Sequence, residues 1–472
     1  MNLDLTHIPN LLKSAAKAGA NDFARVIDKG ALKRGLNLDE VAILVASSGE
    51  KQTNEIHKLA ARIKEEIYGE RLVLFAPLYV SDYCVNDCLY CNFHQTNLLH
   101  KRRRLSMDEV EDETKCLIQM GHKRVLVEFG EDPDFNNIDY ICETIRAIYR
   151  TKVAGNNIRR VNINIAATTV ENYKRLKAEN IGTYQLFQET YHRPTYELLH
   201  KGPKGDFDRQ IYAHNRAREA GLDDLGIGVL FGLYDWRFEV LSLIAHADYM
   251  ERELGVGPHT ISVPRFRPAP GINYRPAHPV SDADFLKLIA ILRIAVPYTG
   301  IILSTREPAE LRQMAFKLGV SQASAASICV PGGYAAVAGP SLLGGDLPAG
   351  QAGGVGGGGQ FTIQDDRSVN EVVKSVIEDG LIPSFCTACY RVGRTGESFM
   401  ELAKPGEIHK FCRPNAILTF AEYLEDFADN ESKLKGDALI QRHLSMIDDP
   451  KLLQETKQRL NDIKAGKRDL YF

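Results

Sequence analysis

The sequence lacks any apolar run approaching the ~18 residues that cross a bilayer. Its mean hydropathy is -0.23, which argues against a membrane protein. It also lacks charge of one sign: 58 Lys and Arg stand against 61 Asp and Glu, a formal charge of -3. No single-signed field is left to hold a phosphate backbone, so a general nucleic-acid binder is a poor reading. The opening MNLDLTHIPNLLKSAAK has no apolar core of the signal-peptide kind and carries Asp4 where such a peptide wants positive charge. A cytoplasmic location is therefore expected. Evenly paired cysteines are lacking too. There are nine, and an odd number in a reducing compartment points to metal-binding or free thiols rather than disulfides.

What is present divides the chain. Residues 1–70 carry apolar positions at spacings of three and four and read as a helical extension with no catalytic constellation. From about Leu72 apolar β-rich runs alternate with helical stretches. The strand candidates are 71–81, 123–132, 159–167, 182–190, 225–233, 259–269, 299–307 and 321–327. Ser106 with Glu109 three residues on is a capping box opening one of the helices between them. Eight βα units in residues 71–330 predict a (β/α)8 barrel of the triosephosphate-isomerase type, with chemistry on the loops after the strands. A doubly wound open sheet is the alternative. From Gly339 to Gly359 there are ten glycines and a single charge, Asp346. Such a stretch cannot offset its ordering entropy, so 331–360 is expected to be a connection. Residues 361–472 read as a mostly helical C-terminal domain.

After the first strand comes SDYCVNDCLYCNFHQTN, placing Cys84, Cys88 and Cys91 at Cys-x3-Cys-x2-Cys. Three thiolates on one short loop hold three irons of a [4Fe-4S] cluster and leave the fourth open. A zinc site with His94 as fourth ligand, or free cysteines, are the alternatives. The spacing, with Tyr90 before the third cysteine, resembles the radical S-adenosylmethionine (SAM) enzymes. That resemblance implies that SAM chelates the open iron and is cleaved reductively to a 5′-deoxyadenosyl radical. It also implies that Gly130 and Glu131, in EFGEDP after the second strand, receive the SAM amino group.

The words QETYHRPTY (188–196), VPRFRPAPG (263–271) and STREPAELR (304–312) resemble the tyrosine lyases of that superfamily, of the thiamine pathway and of [FeFe]-hydrogenase maturation. The resemblance implies cleavage of the Cα–Cβ bond of L-tyrosine to p-cresol and dehydroglycine, and adds Glu189 and Arg209 as SAM contacts. Arg306 ends the seventh strand candidate and can pair bidentately with a substrate carboxylate, with Arg312 as its competitor.

Further on, Cys386, Cys389 and Cys412 stand at Cys-x2-Cys-x22-Cys. A zinc site completed by His409 is one reading. With CTACYRVGRTGE around it, the set resembles the auxiliary-cluster domain of the hydrogenase-maturing lyases. The resemblance implies a second [4Fe-4S] cluster bearing a labile extra iron, on which dehydroglycine-derived CO and cyanide are collected for the hydrogenase active site. Its implied partners are an electron donor such as a ferredoxin or flavodoxin and the other maturases. His259, opening the sixth strand, belongs to the opposite barrel mouth from the first cluster. It is the expected protein ligand of the extra iron, with His409 as runner-up. A thiamine-type lyase and a non-enzymatic iron–sulfur scaffold are the rival functions. Cys116, Cys142 and Cys329 have no partner spacing and are expected to be buried free thiols.

Overall fold

The computed structural model describes residues 3–269, 272–338 and 359–472. The glycine-rich tract therefore lies outside the described residues except for Gly359. Eight parallel strands close on themselves: β1 (Arg71–Ser81), β2 (Arg124–Phe129), β3 (Arg160–Asn164), β4 (Tyr184–Gln185), β5 (Leu225–Gly228), β6 (Thr260–Ser262), β7 (Gly300–Leu303) and β8 (Gln322–Ser324). Closure is made by Val73–Phe75 of β1 against Gln322–Ser324 of β8. The barrel expectation is met and the open sheet is not. Every β1 position after Arg71 is buried, as a parallel strand covered on both faces requires.

All eight strand candidates contain a strand, but several are shorter than their apolar runs. The run 182–190 keeps only Tyr184 and Gln185, because Glu189 sits at φ +67° and leaves the ladder after one bridge to Val229. The capping box forms as read, with the Glu109 amide donating to Ser106 Oγ at 3.3 Å and Glu109 accepting from the Ser106 amide at 2.7 Å.

Four helices precede the barrel. The last, Glu50–Tyr68, buries Ile56, Leu59, Ala60, Ile63 and Ile67. It lies against the barrel helix Asp282–Ala295, and Gly30 fills the gap where a Cβ would stand 2.8 Å from Ile294. Among the described residues no helix is long and apolar enough to cross a membrane.

The C-terminal residues serve both ends of the barrel. Residues 359–365 run over the mouth at the strand C-termini: the Thr362 amide donates to Pro268 O at 3.1 Å and the Gln364 amide to Thr305 O at 2.9 Å. The helical region starts at Val369, capped by Ser368. Sequence reading has a mostly helical region here and names no strand in it. The structure adds β9 (Ile382–Ser384), paired in parallel with Arg71–Val73, so the barrel sheet gains a ninth strand at its lower edge. The helix His409–Asp426 then brings Glu422 to the opposite mouth, where it takes Lys123 at 3.3 Å and Arg159, all three nearly fully buried. Two cations on one buried carboxylate, with Tyr390 Oη 3.1 Å from Thr183 Oγ1, lock the helical region over the strand N-termini.

Candidate active site

The loop after β1 is fixed before any ligand arrives. Buried Asp82 takes His100 Nε2 at 2.8 Å and the Arg103 amide at 2.6 Å. The backbone of Val85 donates to Glu131 O, that of Asp87 to Lys201 O and that of Leu89 to Leu199 O, at 2.7–3.1 Å. Cys84, Cys88 and Cys91 thus stand on one wall of an open cavity of about 190 Å³ at the strand C-termini. Burial pushes the Cys88 thiol well above its usual range and Cys91 up to about 11. The bare Cys88 and Cys91 thiols stay protonated at neutral pH, so their thiolates form only when a positive centre joins them, as an iron cluster does. Asn86 Nδ2 at 3.7 Å from Cys84 Sγ and Gln360 Nε2 at 3.9 Å from Cys91 Sγ supply donors of the kind that tune cluster potentials. These residues fit a cluster. His94 is engaged by Asp87 at 2.8 Å and is not on the cavity wall. Among the described residues no three His, Cys, Asp or Glu side chains close on one point as ligands of a single ion do.

The SAM-contact candidates gather on the same wall. A Cβ on Gly130 would lie 2.2 Å from Tyr83 O, so only glycine lets β2 end against the cysteine loop. Glu131 bridges Asn86 Nδ2 at 2.6 Å and Arg209 at 2.5 Å, which ties the Arg209 guanidinium to the loop. Glu189 pairs with Lys204 at 2.7 Å, and Tyr90 Oη lies 2.7 Å from His200 Nε2 with its ring on the cavity. Gly130→Ala is expected to displace the cysteine loop at ~1–3 kcal/mol of overpacking. Lower iron content after reconstitution, with weaker SAM binding in equilibrium dialysis, checks this.

The two arginines separate. Arg306 lines the cavity, its guanidinium 3.4 Å from the Phe361 ring centre. Arg312, on the helix Ala309–Leu318, is fully buried and spent on Asp365 and the Ser324 carbonyl. The structure does not bring Arg312 to the cavity, because one turn of helix turns it to the barrel's outer side. Cys116, Cys142 and Cys329 are buried and free as expected, though Cys329 also lines the cavity. Sequence reading passes over Glu128, Asn164, Lys204 and Gln360; a glutamate inside an otherwise apolar parallel strand is the one signal that could have singled out Glu128.

At the other mouth lies a second, smaller pocket of about 50 Å³, lined by Cys386, Cys389, Cys412, His259, Arg71 and Arg124 among others. β9 delivers Cys386, whose amide donates to Ser384 Oγ at 3.3 Å. The short helix Ala388–Arg391 carries Cys389, and Cys412 lies in the first turn of His409–Asp426. Burial pushes Cys389 up to about 12 and raises Cys386 as well, so these two thiols ionise only beside a positive centre. His259 stacks on Phe399 at 4.0 Å between ring centres. His409 is bonded through Nδ1 to Gly406 O at 2.5 Å and is not on the pocket wall. The two pockets lie at opposite ends of the barrel interior, with the buried side chains of Phe75, Leu126 and Ile302 between them. Val73, Arg124, Gly300 and Gln322 line the lower one, while Phe75, Leu126, Ile302 and Ser324, two residues on along the same strands, line the upper.

Comparison with known proteins agrees with this layout. Residues 78–243 match the radical SAM superfamily, and residues 262–382 match the biotin and thiamin synthesis associated domain. The 2-iminoacetate synthase of Salmonella typhimurium is 29% identical over 67% of this chain and 81% of its own. The crystal structure of HydG, a maturase of the [FeFe]-hydrogenase, is 49% identical, covers 98% of both chains and superposes with a TM-score of 0.92. HydG from Carboxydothermus hydrogenoformans is 40% identical over 97% of this chain and 98% of its own, with a TM-score of 0.81. Near-complete coverage in both directions, through the barrel and the cysteine-bearing helical region alike, places the chain in the HydG family of [FeFe]-hydrogenase maturases within the radical SAM superfamily.

Proposed function

We propose that this radical SAM enzyme is an L-tyrosine lyase of [FeFe]-hydrogenase maturation. It cleaves the tyrosine Cα–Cβ bond to p-cresol and dehydroglycine and turns the latter into CO and cyanide on an iron held at the second cysteine set. The observation that carries the reading is the pair of three-cysteine sets at opposite mouths of one barrel, in a chain 49% identical to a HydG along 98% of its length. A scaffold that only passes clusters on has no use for a walled cavity holding an ionic group for a substrate beside the first set. A lyase of the thiamine type has no use for the second set as a place to collect diatomic products.

Cys84, Cys88 and Cys91 hold the first cluster, and Gly130, Glu131, Glu189 and Arg209 flank the SAM position. When bound, that cluster and SAM supply a carbon-centred radical through one-electron reduction by a ferredoxin- or flavodoxin-type donor. The chain's own part is positioning. Arg306 holds the substrate carboxylate from the strand-seven side, while Tyr79, Phe129, Phe187 and Leu230 wall the cavity with apolar surface that keeps bulk water away. At the far mouth Cys386, Cys389 and Cys412 hold the auxiliary cluster, and His259 the extra iron that is the cargo of the reaction. Production and capture in one chain keep two strong iron ligands out of solution.

The test is anaerobic reconstitution followed by turnover with SAM, dithionite and tyrosine. 5′-Deoxyadenosine, p-cresol, cyanide and CO are expected, and absence of p-cresol defeats the reading. Cys386→Ala and Cys389→Ala are expected to retain p-cresol formation while the infrared bands of iron-bound CO and cyanide disappear. Loss of p-cresol in well-folded variants counts against the division between the two mouths.

A further inference from the structure

Six charged side chains line the upper cavity: Glu128, Glu131, Glu189, Lys204, Arg267 and Arg306. Four are already satisfied. Glu189 and Lys204 pair with each other at 2.7 Å, Glu131 is held by Asn86 and Arg209, and Arg267 lies 2.5 Å from Glu307. Glu128 and Arg306 are left. Among the described residues neither is in an ion pair, with each other or with any other group. Glu128 lies in β2 and meets Asn164 across the ladder to β3, whose side chain hydrogen-bonds it. Arg306 enters from the loop after β7, close enough for its charge to act on Glu128.

Both are half-buried on the cavity wall, Glu128 hydrogen-bonded by Asn164 and Arg306 set over the Phe361 ring, and neither has an ionic partner to balance it. The two would pair if they could reach one another. Set on β2 and on the loop after β7, they are complementary to a ligand carrying both charges in reverse: a carboxylate for the guanidinium and an ammonium for the carboxylate. Burial pushes the Glu128 carboxyl up to about 8 in the empty cavity, against the pull of Arg306. An arriving cation reverses that cost.

We propose that Glu128 is the α-ammonium subsite of the substrate, facing Arg306 across the cavity, so that the pair selects a free zwitterionic α-amino acid and rejects its des-amino counterpart. The clamp is distinct from the place given above to the amino end of SAM, because Glu131 is bound on the cysteine-loop side by Asn86 and Arg209. It rests on the tyrosine reading and deepens it by assigning the second half of amino-acid recognition.

The experiment compares binding of L-tyrosine and 3-(4-hydroxyphenyl)propionate to the reconstituted holoenzyme with SAM, by equilibrium dialysis, in the native chain and in Glu128→Gln and Glu128→Asp. The native protein is expected to prefer tyrosine by roughly 10- to 100-fold, the scale of a hydrogen bond to a charged group. Glu128→Gln should remove that preference with the affinities for SAM and for the propionate unchanged, and Glu128→Asp should restore part of it. A Glu128→Gln protein that still discriminates overturns the proposal, as does one whose loss is in SAM affinity. If the native protein forms no p-cresol, the tyrosine reading fails by itself. The same paired comparison with other L-α-amino acids and their des-amino acids then decides the clamp: a preference that Glu128→Gln abolishes upholds it, and no preference for any zwitterion ends it.

Discussion

Replacing Cys84, Cys88 or Cys91 with Ala is expected to abolish 5′-deoxyadenosine formation while iron at the second cysteine set is kept. The three thiols share one loop whose backbone is tied to Glu131, Leu199 and Lys201, so the loop keeps its course when one side chain is shortened. What is lost is a ligand. Two cysteines cannot hold three irons in place, and no other side chain is free to take over: His94 is engaged by Asp87, and the Cys329 sulfur, outside the loop, is taken up with Tyr79. The second set lies beyond the barrel interior and draws its ligands from β9 and two helices. Its iron should therefore survive in each single variant. Liquid chromatography for 5′-deoxyadenosine, with iron counting before and after removal of loosely held metal, reads both halves. A variant that still cleaves SAM at the native rate shows that these cysteines do not hold the SAM-cleaving cluster.

The barrel was legible because parallel strands covered on both faces leave continuous apolar runs, and eight of them recurred with helical stretches between. The two cysteine sets stood out because metal ligation needs fixed spacings, and the structure gathers each of them on the wall of one pocket. What escaped the sequence escaped for local reasons. β9 is three residues inside LIPSF, too short for any periodicity, and exists because the start of β1 offers an edge to pair with. Arg306 and Arg312 are six apart in one word, and nothing in that word says which faces inward. The helix beginning at Ala309 turns Arg312 to Asp365, fifty-three residues further on. Glu128 was hidden for the opposite reason: its neighbours make a strand, and a strand reading does not ask where one carboxylate points.

His259→Ala is expected to remove the extra iron and all iron-bound CO and cyanide while leaving SAM cleavage, p-cresol formation and both four-iron clusters intact. The imidazole is prepared for a metal. Burial holds it below its usual pKa even though Asp224 pulls the other way, so it is neutral at pH 7 and able to ligate. Its Nδ1 is buried without a hydrogen-bond partner, 3.5 Å from Asp224 Oδ2, and both Asp224 oxygens are likewise unpartnered. A proton on Nδ1 faces the Asp224 carboxylate and leaves Nε2 as the nitrogen free to ligate, the order carboxylate–imidazole–metal that recurs in metal sites. Stacking on Phe399 at 4.0 Å keeps the ring from turning away. His259 and Asp224 thus leave three buried polar atoms without hydrogen-bond partners, and His259 shares its pocket wall with Cys386, Cys389 and Cys412. Iron counting and EPR should show one iron fewer per chain with the cluster signals kept. Infrared spectra after turnover should lack the CO and cyanide bands, and Asp224→Asn should give an intermediate loss. Full iron occupancy in His259→Ala would assign the extra iron to another ligand and reduce His259 to a packed core residue.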